Sequence, residues 1–99
     1  MANTWYVLLH TAGPAVPAGS SVGEQPGIAE HFAFLARRAD AGQLVAAGPF
    51  GDSLDDGMTV LDVESLEEAE RLAREDDQAV VSGVLDVAVR TWNVRMSRV

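Results

Sequence analysis

The chain has 99 residues, 47% of them hydrophobic, no cysteine, and a formal net charge of −8 in which every basic residue is arginine. That composition excludes a disordered chain, a disulfide framework and a thiolate site. The acidity argues against nucleic acid and anionic membrane surfaces as partners, favours solubility, and the length suits one domain, residues 1–99, with a modest core.

Thr4 to His10 is rich in aromatic and branched residues and stops before Gly13-Pro14, which predicts a first strand. The residues before it lack a basic leader, and Trp5 to Leu9 is too short to cross a bilayer, so a cytoplasmic location is expected. Thr11 to Pro26 follows as a loop of Gly, Pro, Ala and Ser, long enough to expect a functional or mobile role. Pro26 suits the first turn of a helix running from Gly27 to about Ala41, with Ile28, Phe32, Leu35 and Ala39 as its buried stripe and Gly42 as its stop.

Gln43 to Ala47 predicts a short second strand closed by Gly48-Pro49. Phe50 to Asp56 reads as a hairpin-like loop and Met58 to Val63 as the third strand. Ser65 and Glu68 have the spacing of a capping box at the start of a second helix whose stripe is Leu66, Ala69, Leu72 and Ala73. A polar break, Glu75-Asp76-Asp77, then leads through a turn, Gln78 to Gly83, into a last strand from Val84 to about Met96. The order strand, helix, strand, strand, helix, strand predicts an α+β fold, a ferredoxin-like βαββαβ unit with a four-stranded antiparallel sheet and two helices on one face.

Such a sheet alternates apolar and polar positions when one face meets water. These strands do not. Trp5, Val7 and Leu9 alternate with Tyr6, Leu8 and His10; Leu85, Val87 and Val89 alternate with Ala88, Trp92, Val94 and Met96. Two helices cover one face only, so the other is expected to pair with a second copy in a two-fold homodimer.

Two histidines, His10 and His31, are the side chains that titrate near neutral pH unaided. His31 lies one turn from Ile28 and from Leu35, facing a crevice between helix and sheet, as a structural hydrogen-bonded residue or as a general base. Asp76 and Asp77 fall at the end of the second helix, where negative charge is unfavourable and a cationic or donor partner is wanted. A carboxylate that orients an imidazole is the usual support for a general base. Among secondary candidates, His10 is a pocket-lining or strand-end residue and Gln25 a ligand donor or helix-start cap. Pro49 shapes a strand end, Phe50 is a candidate pocket wall, and Trp92 is an aromatic wall or a packing residue. Neither metal-ligand spacing nor a nucleotide-binding fingerprint is present, so no metal or organic cofactor is expected.

The runs Leu8-Leu9-His10-Thr11-Ala12-Gly13-Pro14, Glu24-Gln25-Pro26 and His31-Phe32-Ala33-Phe34-Leu35 resemble the YciI-like, or YCII-related, proteins. Gly42 to Pro49, Asp77 to Leu85 and Trp92 continue the resemblance, which spans nearly the whole chain. It implies a dimeric ferredoxin-like α/β barrel, similar to muconolactone isomerase, and an active-site His–Asp pair on His31 and Asp77. Phe34, inside the matching motif, joins the substrate-binding candidates. Gln78 replaces the proline many members carry after the aspartate, and the preceding helix is one residue longer, which leaves Asp76 as a competing partner. The expectation is a cofactor-independent lyase or isomerase acting by proton transfer on a small organic molecule. The alternative is a non-catalytic ligand-binding or accessory module.

Overall fold

The computed structural model describes residues 3–99. In chain order come β1 (Asn3–Ala12), α1 (Ile28–Asp40), β2 (Leu44–Phe50), β3 (Ser53–Leu61), α2 (Leu66–Arg71), α3 (Gln78–Val81) and β4 (Leu85–Val94). The strands form one antiparallel sheet in the order β2-β3-β1-β4. This is the expected α+β, ferredoxin-like arrangement, with one refinement: α2 runs into a π-helical turn, Leu72–Asp76, and the expected turn after it contains the short α3.

The β1–β4 pair is in register from Asn3↔Val94 to Ala12↔Leu85. Pleating therefore puts Tyr6, Leu8 and His10 toward the helices and Trp5, Val7 and Leu9 on the opposite face. On the helix side Leu8, Phe34, Leu61, Leu72 and Ala73 make the main core, with Leu44, Val87 and Val89 packed against it. A second cluster, Val22, Ala79, Val84 and Leu85, ties the long β1–α1 loop to α3. On the far side Trp5, Val60 and Val94 form a third cluster, flanked by Val7, Val45 and Met58.

Several expectations need correction. In α1 it is Phe34 that is fully buried, while Phe32 is 61% exposed and Ala39 is also exposed. The inward face runs Ile28, His31, Phe34–Leu35 and Arg38, another phase of the same helical spacing. The guanidinium of Arg38 lies 5.6 Å from the centre of the Phe34 ring, which lets an arginine occupy a position facing the core. Leu66 is exposed rather than part of the second stripe. The Ser65 cap is half made: its hydroxyl accepts from the Glu68 N–H, but the Glu68 carboxylate turns to Arg71 instead.

The β2–β3 hairpin is longer than expected, because Gly48-Pro49 and most of the 50–56 segment are extended strand. Pro49 is tolerated there because β2 is an edge strand, where a missing N–H need break no ladder bond. A register shift between Leu44 and Ala46 lets Val45 join the far-side cluster. β4 ends at Val94, so Met96 lies beyond the sheet. The far face also packs against itself more than anticipated: Trp5 meets Trp92 edge-on at 5.9 Å and is only 6% exposed.

Candidate functional site

The site is built where the loop, α1 and the α2–α3 corner converge on the helix side of the sheet. The loop is not slack. Gly13 N–H donates to Val84 O and Ala15 N–H to Gly83 O, each at 2.9 Å. The chains approach so closely here that a Cβ on Gly13 would sit 2.1 Å from Gly83 O, and Gly83 has a φ of +84°. Glycine is required at both positions. Farther on, Ser21-Val22-Gly23-Glu24 repeats the Ser-x-x-Glu spacing of Ser65–Glu68. Here the Glu24 carboxylate accepts from both the backbone N–H and the hydroxyl of Ser21 at 2.9 Å, opening a single 3₁₀ turn, Val22–Glu24. The Val22 N–H donates to Asp55 Oδ1 at 2.9 Å, which pins this turn to β3.

His31 projects from α1 toward Asp77, and its Nδ1 lies 2.7 Å from Asp77 Oδ2. The Asp77 side chain is fully buried and that of His31 is 13% exposed. A buried carboxylate needs donors on its oxygens. Oδ2 has the imidazole, and Oδ1 accepts the Ala79 N–H at 3.1 Å, capping α3. With Nδ1–H donating to the carboxylate, Nε2 is the ring nitrogen left for chemistry. The ring also stacks on Phe34, with centres 6.2 Å apart.

The structure separates the two acidic candidates. Asp76 faces outward and binds α1: Arg37 Nη2 donates to its carbonyl at 2.7 Å, and Arg37 Nε and Arg38 Nη2 to its carboxylate at 3.2 Å. The π turn holds one residue more than an α turn would, and it is Asp77, the residue after it, and not Asp76 that meets His31.

His10 stands beside the pair, its ring centre 4.7 Å from that of His31 and nearly edge-on. It is 4% exposed, and its Nε2 lies 3.1 Å from the Thr59 hydroxyl on the neighbouring strand. Burial, reinforced by the adjacent His31 ring and partly opposed by Asp77, pushes its pKa down from 6.5 to about 4. Among the described residues, its Nδ1 is buried without a hydrogen-bond partner.

A cavity of about 260 Å³ opens in front of the two histidines. Its walls are largely apolar, with Ile28 and Leu35 from α1, Val22 from the loop and Met58 from β3. Pro49, Leu54, Asp55 and Asp56 close it from the β2–β3 hairpin, and Phe32, misplaced in the sequence-derived stripe, is at its rim.

Of the candidates from sequence, then, His31, His10 and Pro49 meet at the cavity, with Asp77 directly behind His31. Phe34 sits behind the imidazole in the core rather than on the wall. Gln25 bonds back to Ser21 O and caps its own loop. Phe50 is half-exposed at the hairpin turn, outside the lining, and Trp92 is on the opposite face of the sheet. Sequence reasoning missed Thr59, Asp55 and Asp56. Thr59 carries no local signal, since only strand pairing brings it to His10; the Ser-x-x-Glu motif at Ser21 could have marked the ordered turn that Asp55 holds. Among the described residues no group of three or more His, Asp or Glu side chains is placed to hold a metal ion, and no helix is long and apolar enough to cross a membrane.

Fold and site together define a ferredoxin-like α+β protein with a buried histidine–carboxylate pair at the end of an apolar cavity. The model of the YCII-related domain matches residues 4–93, and the chain belongs to that family. No curated protein sequence matches it.

Proposed function

We propose that this protein is a cofactor-independent enzyme in which His31 moves a proton on a small apolar substrate held in the cavity. The observation that carries the reading is the 2.7 Å contact between His31 Nδ1 and the buried Asp77 carboxylate beside that cavity. Asp77 holds the tautomer that presents a lone pair at Nε2 and offsets the positive charge the ring gains on taking a proton. Nε2 removes a proton from an enolisable or phenolic position. The same ring returns it elsewhere on the molecule in an isomerisation or ring closure, or the electron pair expels a leaving group in an elimination such as dehydrohalogenation. The apolar walls keep water from competing for the proton.

The test is deuterium incorporation from D₂O into a panel of apolar enolisable ketones, lactones and halogenated phenols, followed by NMR. Wild-type protein should accelerate exchange in at least one of them, and His31→Gln should slow that exchange by about a hundredfold or more. Equal rates in the two proteins reject His31 as the base. Binding without exchange identifies the alternative, a ligand-binding accessory module.

The same reading takes the working unit as a cytoplasmic homodimer joined through the far face of the sheet. Its support is the apolar surface there: half-buried Val7, Leu9 and Met58, with exposed Ala88 and Trp92.

A further inference from the structure

The charges around the cavity are one-sided. Asp55 and Asp56 line it from β3, no arginine among the described residues lines it, and the chain contains no lysine. His10 contributes no positive charge at neutral pH, since burial holds its pKa near 4. His31 is matched by Asp77, so even its protonated form leaves no net cation to receive an anion. The Asp55 carboxylate is half committed, with Oδ1 taken by the Val22 N–H, but its charge remains at the wall. The polar atom without a partner beside the cavity, His10 Nδ1, belongs to an uncharged ring and suits a hydroxyl or carbonyl group.

We propose that Asp55 and Asp56 make this cavity selective for uncharged small molecules with a hydroxyl or carbonyl group, and that they reject carboxylates of the same shape. This rests on the reading of the cavity as the substrate site. The physical basis is repulsion across low-dielectric walls: a carboxylate entering would lose water, gain no counter-ion and meet the negative charge that Asp55 and Asp56 bring to the lining. Specificity then comes from an unfavourable element built against the wrong ligand, as much as from contacts to the right one. A volume of about 260 Å³ also restricts the ligand to a molecule of one or two rings.

Three probes of matched shape test this: 2-naphthol, 2-naphthoate and 2-naphthylmethylammonium. Their binding is read from the ring-proton NMR signals of the two histidines. In the wild type, 2-naphthoate should bind at least about tenfold more weakly than 2-naphthol, while the ammonium should bind no more weakly than the carboxylate. The double variant Asp55→Asn/Asp56→Asn keeps an acceptor for the Val22 N–H while removing both charges. In it the naphthol–naphthoate gap should close about threefold or more, with naphthol affinity retained. Raising salt from about 20 mM to about 500 mM should narrow the gap in the wild type, which tests the charge term without any variant. Equal binding of naphthol and naphthoate by the wild type overturns the proposal. So does a gap that neither the variant nor salt changes. If none of the three probes shifts the histidine signals, the reading of the cavity as a site falls with it. Failure of His31 as a base is distinct, because it appears in the exchange assay and leaves these affinities unchanged.

Discussion

His10 and His31 are neighbours in space and opposites in setting. One imidazole donates to a buried carboxylate; the other sits against a threonine hydroxyl with a ring nitrogen unpaired. The second arrangement has a consequence for stability. His10 titrates near 4 in the folded protein and near 6.5 when unfolded. Between those values the unfolded chain holds a proton that the folded one does not, so stability must fall as pH drops through that window and level off below it. The loss is up to about 3 kcal/mol. Urea titrations of wild type and His10→Gln across pH 4 to 7 should show this slope in the wild type and a flatter one in the variant. Parallel slopes would place the pH dependence elsewhere.

At the scale of elements, the π turn between α2 and α3 decides which carboxylate reaches the site. Its outer side is held by Arg37 and Arg38 on Asp76, its inner side by Asp77 on His31. The exposed Arg37 pair adds little on its own, but Arg38 is mostly buried and fixes the approach of α1 to this corner. Because the π turn carries a surplus residue, deleting exposed Glu75 should relax it to α-helical geometry and change stability by no more than about 1 kcal/mol. The His31 ring signal should remain that of a carboxylate-bound imidazole. Deleting Ala69 from the regular turns of α2, by contrast, moves a charged residue into a fully buried position and should cost about 2 kcal/mol or more. A Glu75 deletion as damaging as that of Ala69 would show that the turn is needed for more than register.

For the whole molecule, the distribution of apolar surface over the two sheet faces sets the expected assembly. The helix side holds the main core and the cavity; the far side packs around Trp5 yet still presents Ala88 and Trp92 to solvent. A stable pairing needs about 800 Å² from each partner. Ala88→Asp places a charge across from Leu9 without emptying either core. Sedimentation at micromolar concentration should give twice the chain mass for wild type and one chain mass for the variant. A wild-type mass of one chain rejects the homodimer.

How much of this was legible beforehand follows from the range of each interaction. The strand and helix order was readable, because alternation, helical spacing, the Ser65 cap and the Gly42 stop are local patterns. So was the identity of His31 as the residue to examine, since its helical position and the family resemblance agree. Phe32 and Phe34 show the limit: both fit an apolar helical stripe, and only packing against Leu8, Leu61 and Leu72 determines which is buried. The contest between Asp76 and Asp77 was open for a similar reason, because a π turn rotates the chain by an amount that residue spacing does not reveal. Thr59 and Asp55 depend on contacts across the sheet or between loop and hairpin, over 33 to 49 residues of chain. Sequence by itself determined the elements, their order, the acidic character and the surplus of apolar strand residues, all set by interactions within a few residues. Tertiary structure alone decided which carboxylate meets the imidazole, that His10 is buried against Thr59, and which charges border the cavity. Those outcomes depend on burial and distance, and both exist only once remote segments have packed.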